Sequence, residues 1–200
     1  MAEERAEVLN RNLFFVKEHV GMFKAANNYD ILDPESQEIV LECREDDLGF
    51  FTKMFRFTGY KSLTPFDIRI KTPDGKTLIR VKRGVALFRS VVEVFDEHGQ
   101  LIGKLRQRML SIGGKFDVLN ASDEVFCQLK GKWTSWEFRF VKDEVEFAQV
   151  SKKWAGFGKE LFTSADNYMV EIKPAVKAGH PMRKLILGAV MCIDMVLKEK

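Results

Sequence analysis

The sequence predicts a mainly β protein built from antiparallel hairpins, and three observations lead to this prediction. Between residues 13 and 150 apolar residues recur at every second position, as they do in strands with one buried face. Short clusters of turn residues interrupt these runs. Near the C-terminus the pattern changes to a continuous apolar segment, which is typical of a buried helix. A sheet with so many strands either closes into a barrel or splits into two packed layers.

Length and composition indicate a single folded domain. The chain has 200 residues, of which 46% are hydrophobic and 30% are charged, so it can bury one sizeable core and does not have the composition of a disordered protein. We predict one domain over residues 1–200, in which residues 1–11 form a helical or flexible extension and residues 182–197 form a core helix.

Five hairpins are predicted along the chain. The clearest joins residues 66–72 to residues 77–83 through Pro73-Asp74-Gly75-Lys76, where proline presets φ and glycine accepts a positive φ. A second copy turns at Gly99, 24 residues after Gly75. The other hairpins turn near residues 33–36, 120–123 and 143–144. Residues 168–172 also alternate as a strand.

The apolar C-terminal segment is too short to cross a bilayer. Residues 185–197 would form a helix of roughly 20 Å, whereas the hydrocarbon layer is about 30 Å thick. Asp194 would add a charge cost in lipid. We therefore predict a helix buried in or against the curved sheet, with Asp194 paired to a polar group or placed at a barrel mouth.

The three cysteines are predicted to be buried, reduced thiols. Cys43, Cys127 and Cys192 lie far apart and none belongs to a Cys-x-x-Cys motif. In a regular strand, Ile39, Leu41 and Cys43 would share one buried face. The acidic N-terminus has no apolar run typical of a secretory signal, which predicts a cytoplasmic protein.

Charge is distributed unevenly along the chain. The net charge is only +3, but residues 61–115 carry 12 basic and 5 acidic groups, whereas residues 1–60 carry 7 and 12. A local positive field of this kind attracts phosphate groups. The alternative interpretation of the basic segment is an ordinary solvated sheet face.

Several segments resemble phospholipid scramblases and their bacterial relatives. They are residues 154–172, the helical Leu187-Gly-Ala-Val-Met-Cys-Ile-Asp, the opening Asn12-Leu-Phe-Phe-Val-Lys, the stretch Asn28-Tyr-Asp-Ile-Leu-Asp, and the repeated Gly-x-Leu-Ile hairpin. The resemblance covers nearly the whole chain. Scramblases are grouped with plant LURP-one-related proteins and the Tubby C-terminal domain. The resemblance implies a closed antiparallel β barrel of meandering hairpins around a buried hydrophobic C-terminal helix.

The same resemblance implies a lipid-related function. Tubby domains bind phosphoinositides, and scramblases are named for moving lipids between leaflets in response to calcium. We expect a non-enzymatic, peripheral membrane-associated module that binds anionic phospholipid or phosphoinositide headgroups, in the cytoplasm or on the inner leaflet of the plasma membrane. The alternatives are phospholipid scrambling itself and a soluble barrel that binds other proteins without a lipid role.

Strand alternation suggests which residues would contact lipid. Basic side chains alternate with apolar ones in the hairpins of the middle segment, and Leu78 and Ile102 are predicted to share the basic side. If the hairpins are neighbours, the basic residues form one outward surface. The predicted headgroup-binding residues are Arg69, Lys71, Arg80, Lys82, Lys104, Arg106 and Arg108.

No cofactor is expected, and we do not expect a physiological calcium site. In scramblases the proposed calcium segment begins with an aspartate and has acidic groups near both ends. Here the resemblance leaves Asp166, Asn167 and Glu171 as weak candidates, while Ser164 and Ala175 replace two of the carboxylates. Calcium prefers six to eight oxygen ligands, and a strand cannot wrap around a cation.

Other function classes find little support in the sequence. It has no nucleophile elbow, Walker glycine loop or zinc-protease motif, so we predict that the protein is not an enzyme. His19, His98 and His180 fall near strand ends or turns. Trp133, Trp136 and Trp154 have no accompanying nucleic-acid signature, and no nucleic-acid partner is expected.

Overall fold

The computed structural model describes residues 7–19, 28–45, 65–84, 90–108, 115–132, 135–152 and 167–197. These residues include a helical turn at residues 7–10, twelve β-strands and a C-terminal helix, Met182–Leu197. The strands are β1 (Leu13–Glu18), β2 (Tyr29–Leu32), β3 (Ile39–Arg44), β4 (Phe66–Lys71), β5 (Thr77–Arg83), β6 (Val91–Asp96), β7 (Leu101–Gln107), β8 (Phe116–Asn120), β9 (Val125–Lys132), β10 (Glu137–Lys142), β11 (Val145–Ser151) and β12 (Asn167–Ile172).

The strands form a closed antiparallel barrel. Each strand pairs with the next in chain order, and β12 returns to pair with β1 from Leu13 opposite Glu171 to Lys17 opposite Asn167. The alternation of apolar residues was compatible with either a closed barrel or a two-layer sheet. The closed barrel implied by the family resemblance is confirmed. Closure leaves no unpaired sheet edge, which is how large antiparallel sheets avoid edge-to-edge association.

The five hairpin turns lie at the same end of the barrel, which we call the turn end. In the turn between β6 and β7, Asp96 Oδ1 accepts the backbone N–H groups of His98 at 2.9 Å and Gln100 at 2.8 Å. Asn120, 24 residues later, accepts the two equivalent bonds in the turn between β8 and β9. Thr72, 24 residues earlier, accepts one of them in the turn between β4 and β5. Gly75 and Gly99 have φ values of +87° and +76°, as the sequence predicts. A short polar acceptor and a residue with positive φ therefore build the same turn repeatedly.

Every one of these hairpins carries one extra residue in its return strand. The extra residues, which we call the bulge residues, are Val40, Leu78, Ile102, Phe126 and Phe147. One inserted residue reverses the inside–outside alternation on one side of the bulge. Two predictions are wrong for this reason: Ile39 is 41% exposed instead of buried beside Leu41, and Leu78 is only 4% exposed instead of lying out beside Arg80 and Lys82. Ile102 is half-buried.

From Leu185 to Ile193 the C-terminal helix is buried on all sides, as predicted. The hydrophobic side chains from Leu185 to Ile193 are at most 3% exposed and join the inward-facing residues of the strands in one core. The helix contacts β5, β6 and β7 through two glycines: Gly103 faces Leu185, and Gly188 faces Val81 and Val94. Among the described residues no helix is both long and apolar enough to cross a membrane. The side chain of Asp194 lies outside the described part of the chain.

One arginine connects the start of this helix to the N-terminal segment. Arg183 is 3% exposed, and its guanidinium donates hydrogen bonds to the carbonyl oxygens of Leu9 at 2.7 Å and Val176 at 2.8 Å. It also donates to the carbonyl oxygens of Asn10 and Arg11 and to Asn12 Oδ1. Burial lowers the pKa of this guanidinium, which nevertheless stays charged at neutral pH. Residues 7–12 and 173–183 are thus held together across the turn end.

The cysteines match their predicted state. Cys43, Cys127 and Cys192 are free thiols and all three are buried. Burial raises the pKa of Cys127 to about 12 and raises the pKa of Cys192 as well. Because the thiolate is the reactive form, these cysteines act as small hydrophobic side chains.

Candidate functional site

The predicted headgroup-binding residues come from four consecutive strands of the barrel. The hairpins β4–β5 and β6–β7 are neighbours through the pairing of β5 with β6. Apart from Arg83, which is buried, their basic strand residues are half-buried or exposed, whereas Ile68, Ile70, Val81 and Leu105 point into the core. We call this outer surface the basic face; its predicted residues are Arg69, Lys71, Arg80, Lys82, Lys104, Arg106 and, directly after β7, Arg108.

Strand register arranges the basic residues in rows across the face. Arg69 lies opposite Arg44 on one side and Arg80 on the other, so three guanidinium-bearing residues occupy adjacent strands. In the next row Lys82 and Lys104 flank Glu93. The side chains of Arg80, Arg106 and Arg108 are 41%, 38% and 46% exposed, which leaves them within reach of a ligand in solution or at a surface.

Carboxylates lie among these cations. Asp67 accepts two hydrogen bonds from Arg80, to Oδ1 from Nε at 2.9 Å and to Oδ2 from Nη2 at 2.5 Å. These hydrogen bonds lower the pKa of Asp67 below its usual value, against the opposing effect of burial. The two hydrogen bonds fix the orientation of the Arg80 guanidinium beside the Asp67 carboxylate.

Two further acidic groups neutralise the other side of the face. Lys104 Nζ donates to Asp123 Oδ1 at 2.9 Å, and Asp123 belongs to the turn between β8 and β9. Asp117 lies 4.0 Å from Arg106 Nη2 and 3.9 Å from Arg108 Nε. Sequence reasoning identified the cations and passed over these acids. Asp67 could have been assigned to this face from the sequence, because Asp67, Arg69 and Lys71 occupy every second position of β4 and therefore point to the same side.

The basic face therefore keeps a reduced positive charge. Among the described residues, the carboxylates of Asp67, Glu93, Asp117 and Asp123 lie beside its basic residues and offset part of their positive charge. Lys82 is exposed, and within the described residues it forms no ion pair. Such a surface can attract phosphate groups by long-range electrostatics.

Of the three calcium candidates, the structure describes Asn167 and Glu171. Asn167 and Glu171 both lie on β12, confirming the strand predicted there, and four residues of extended chain separate their Cα atoms by about 13 Å. Asn167 is 8% exposed, and Glu171 accepts a hydrogen bond from Lys173 Nζ at 2.6 Å. Asp166 lies outside the described residues. In the part of the chain that is described, no three His, Cys, Asp or Glu side chains come together to hold a metal ion.

The histidines and the one described tryptophan have structural contacts. His19 Nε2 lies 2.6 Å from Asp30 Oδ2, and Arg44 binds the other oxygen of the same carboxylate at 2.6 Å. His98 is in the turn between β6 and β7, and His180 precedes the C-terminal helix. Trp136 stacks on Tyr168 with ring centroids 5.8 Å apart. The other two tryptophans lie outside the described residues.

A comparison with known families identifies the family of this chain. Residues 8–200 match the family model described as Scramblase. The chain belongs to the Scramblase family. The resemblance seen in the sequence is thereby confirmed for scramblases, whereas the wider grouping with Tubby domains stays a prediction. No solved structure matches this scramblase-family protein at a significant level.

Curated relatives point to the same family. Human phospholipid scramblase family member 5 is 21% identical over 191 residues, which cover 88% of this chain and 68% of the relative. Human phospholipid scramblase 2 is 22% identical over 193 residues, covering 89% of this chain and 62% of the relative. Rat phospholipid scramblase 1 is 27% identical over 95 residues, 48% of this chain and 25% of the relative. The chain thus spans about two thirds of the length of the two human relatives.

Proposed function

We propose that this scramblase-family protein is a non-enzymatic, peripheral membrane module that binds anionic phospholipid or phosphoinositide headgroups through the basic face. The supporting observation is that six basic side chains of β4–β7, with Arg108 directly after β7, lie on one outer surface of the barrel. Family membership supports a phospholipid-related role. A location at the cytoplasmic leaflet belongs to this proposal, because that leaflet carries anionic lipid.

The carboxylates on the face set the expected strength of binding. A basic residue close to an anionic leaflet contributes about 1 kcal/mol, and less when it already has an acidic partner. Arg80 is committed to Asp67, whereas Lys82 is exposed and available. We therefore expect binding that needs several residues at once and that weakens as salt rises.

Neutralising four basic residues of the face should release the protein from vesicles. In the variant Lys71→Gln, Lys82→Gln, Lys104→Gln and Arg106→Gln, the partition coefficient onto phosphatidylserine-containing vesicles is expected to fall about 100-fold, because four attractive charges are lost. The Arg80–Asp67 pair stays intact in this variant. Flotation at two salt concentrations, with phosphatidylcholine vesicles as the uncharged reference, measures the change.

A control of equal charge tests whether position matters. Lys17, Lys130, Lys142 and Lys177 are exposed and lie away from the basic face, so replacing all four with glutamine changes the net charge equally. This control is expected to retain vesicle binding. If both variants lose binding to the same extent, net charge and not the basic face is responsible. If the unmodified protein does not bind any anionic vesicle, the proposal fails. The alternative of a soluble barrel that binds other proteins without a lipid role then takes its place.

Lipid scrambling is the second candidate, favoured by family membership and by the names of the relatives. Movement of the C-terminal helix into a bilayer would first remove nine buried positions from Leu185 to Ile193 from the core, which forfeits on the order of 10–20 kcal/mol of apolar burial before any compensation by contact with lipid. We expect no calcium-dependent flipping of fluorescent lipid in a dithionite quenching assay with reconstituted protein. Rapid flipping on addition of calcium would establish scrambling and reverse the order of the two candidates.

A further inference from the structure

A cleft opens at the turn end of the barrel, separate from the basic face. It has a volume of about 460 Å³ and lies between the β4–β5 turn, the β6–β7 turn and the start of the C-terminal helix. Its apolar lining comes from Leu9, Leu78, Ile102 and Pro181. The volume falls within the range of ordinary small-ligand pockets.

The repeated hairpins explain why the cleft is there. Leu78 and Ile102 are bulge residues 24 positions apart, and the next bulge residue, Phe126, follows after another 24. Around the barrel Phe126 packs against the bulge residue Phe147, with ring centroids 5.0 Å apart, and lies 6.3 Å from the ring of His180. Aromatic rings thus occupy the turn end beside β9 and β11. Beside β5 and β7 the equivalent side chains are aliphatic and smaller, and the cleft lies against them.

The polar groups at the rim favour an anionic ligand. Lys76 lines the cleft, is exposed, and among the described residues has no acidic partner. His180 Nδ1 accepts the backbone N–H of Met182 at 3.1 Å, so a neutral His180 ring carries its proton on Nε2 and can donate. His98 provides a second imidazole.

The acidic groups at the same rim are already bound. Asp96 accepts two backbone N–H groups of its own turn, and Glu97 is paired with Lys184. Within the cleft, Arg183 donates its hydrogen bonds to Leu9, Val176 and the neighbouring segment. The side-chain donors left for a ligand are those of Lys76 and His180, above an apolar floor.

We propose that this cleft binds a single-chain anionic amphiphile, a fatty acid carboxylate, with its chain on Leu78 and Ile102 and its head at Lys76 and His180. This site does not depend on the basic face, because the two surfaces lie on the end and on the side of the barrel. A buried chain supplies the apolar contact, and the ammonium and imidazole donors orient the carboxylate.

Calorimetric titration of the full chain with dodecanoate, below its micelle concentration, tests the proposal. We expect saturable binding with one ligand per chain. Dodecanol has the same alkyl chain but no carboxylate, and acetate has the carboxylate but no long chain. Each is expected to bind at least about 10-fold more weakly than dodecanoate, because each lacks either the polar or the apolar contacts. Dodecyltrimethylammonium, with the opposite charge, is expected to show no saturable binding. Equal affinity for dodecanoate and dodecanol would overturn the carboxylate assignment.

Two variants locate the ligand. Ile102→Phe gives the β6–β7 hairpin a phenylalanine at its bulge position, as the β8–β9 hairpin has at Phe126. The larger side chain is expected to fill the cleft and abolish dodecanoate binding. Lys76→Gln changes an exposed side chain and is expected to weaken dodecanoate binding about 10-fold without changing thermal stability. Lys142→Gln, at the end of β10, is the matched control and should bind as the unmodified chain does.

Vesicle flotation separates this proposal from the preceding one. Ile102→Phe and Lys76→Gln are expected to bind anionic vesicles as the unmodified chain does, whereas the four-residue variant of the basic face should still bind dodecanoate. Absence of saturable dodecanoate binding, or binding that survives Ile102→Phe in a folded protein, would overturn the cleft assignment and leave the basic face untouched.

Discussion

Replacing Arg183 with methionine is expected to lower the free energy of unfolding by about 3–5 kcal/mol, because a buried guanidinium and its hydrogen bonds are lost together. The bonds reach Leu9, Val176 and three neighbouring residues, and they connect two segments that are distant in sequence. Methionine fills part of the same volume but leaves buried carbonyl oxygens without donors. Urea denaturation followed by circular dichroism measures the loss.

The adjacent Lys184 supplies the control. Lys184 is paired with Glu97 near the surface, and Lys184→Met is expected to change stability by less than about 1 kcal/mol, as is usual for exposed ion pairs. Arg183→Lys tests the geometry, because lysine keeps the charge but cannot reach five acceptors with one ammonium. Stability close to that of the unmodified chain in Arg183→Met would show that the hydrogen bonds at the turn end contribute little.

Substitution of Gly103 by alanine is expected to cost about 3 kcal/mol, since an added methyl group would overpack the contact between the sheet and the helix. A Cβ atom there would lie 2.3 Å from the backbone oxygen of Leu119 and 2.8 Å from Leu185 Cδ2. The backbone oxygen cannot rotate away, so β7, β8 or the helix must shift. Thermal unfolding of the purified variant reports the effect.

A second glycine just beyond β5 is the matched comparison. At Gly84 a Cβ atom would meet no heavy atom of the described residues within 4 Å, so Gly84→Ala is expected to change stability by no more than about 0.5 kcal/mol. Equal stability of the Gly103→Ala and Gly84→Ala variants would mean that the sheet and helix do not approach as closely as described. Vesicle binding by a folded Gly103→Ala protein should be unchanged, because the substitution lies on the inner surface.

Hairpins and the core helix could be predicted from sequence because their signals are local. The turn between β4 and β5 needs only an acceptor at Thr72, a proline at the first central position and a glycine that accepts a φ of +87°. The apolar run from Leu185 to Ile193 is similarly readable, since a helix that is apolar on every side must be buried.

The bulges could not be predicted in the same way. A period of two assumes that no residue is inserted, and Leu78 breaks that assumption: its side chain is buried although Arg80, two positions later, lies outside. The turn sequence alone does not reveal which residue is left unpaired, because that depends on the register of the partner strand.

The candidate site was predictable in part. The outward placement of the cations results from alternation, but the neutralising contacts depend on strand neighbours. Lys104 meets Asp123, 19 residues later in the chain, only because β7 pairs with β8 and the next turn folds back beside it. The cleft at the turn end needs two hairpins and the helix start together, so no single segment of sequence contains it.

By itself, the sequence determined the strands, the repeated turns, the buried thiols and the apolar helix, because each is encoded by residues within a few positions of one another. Only the tertiary structure decided that β12 pairs with β1, that Arg183 holds the two terminal segments, and that carboxylates reduce the charge of the basic face. These features depend on contacts between residues far apart in the chain, and such contacts are set by register and closure, which local alternation does not specify.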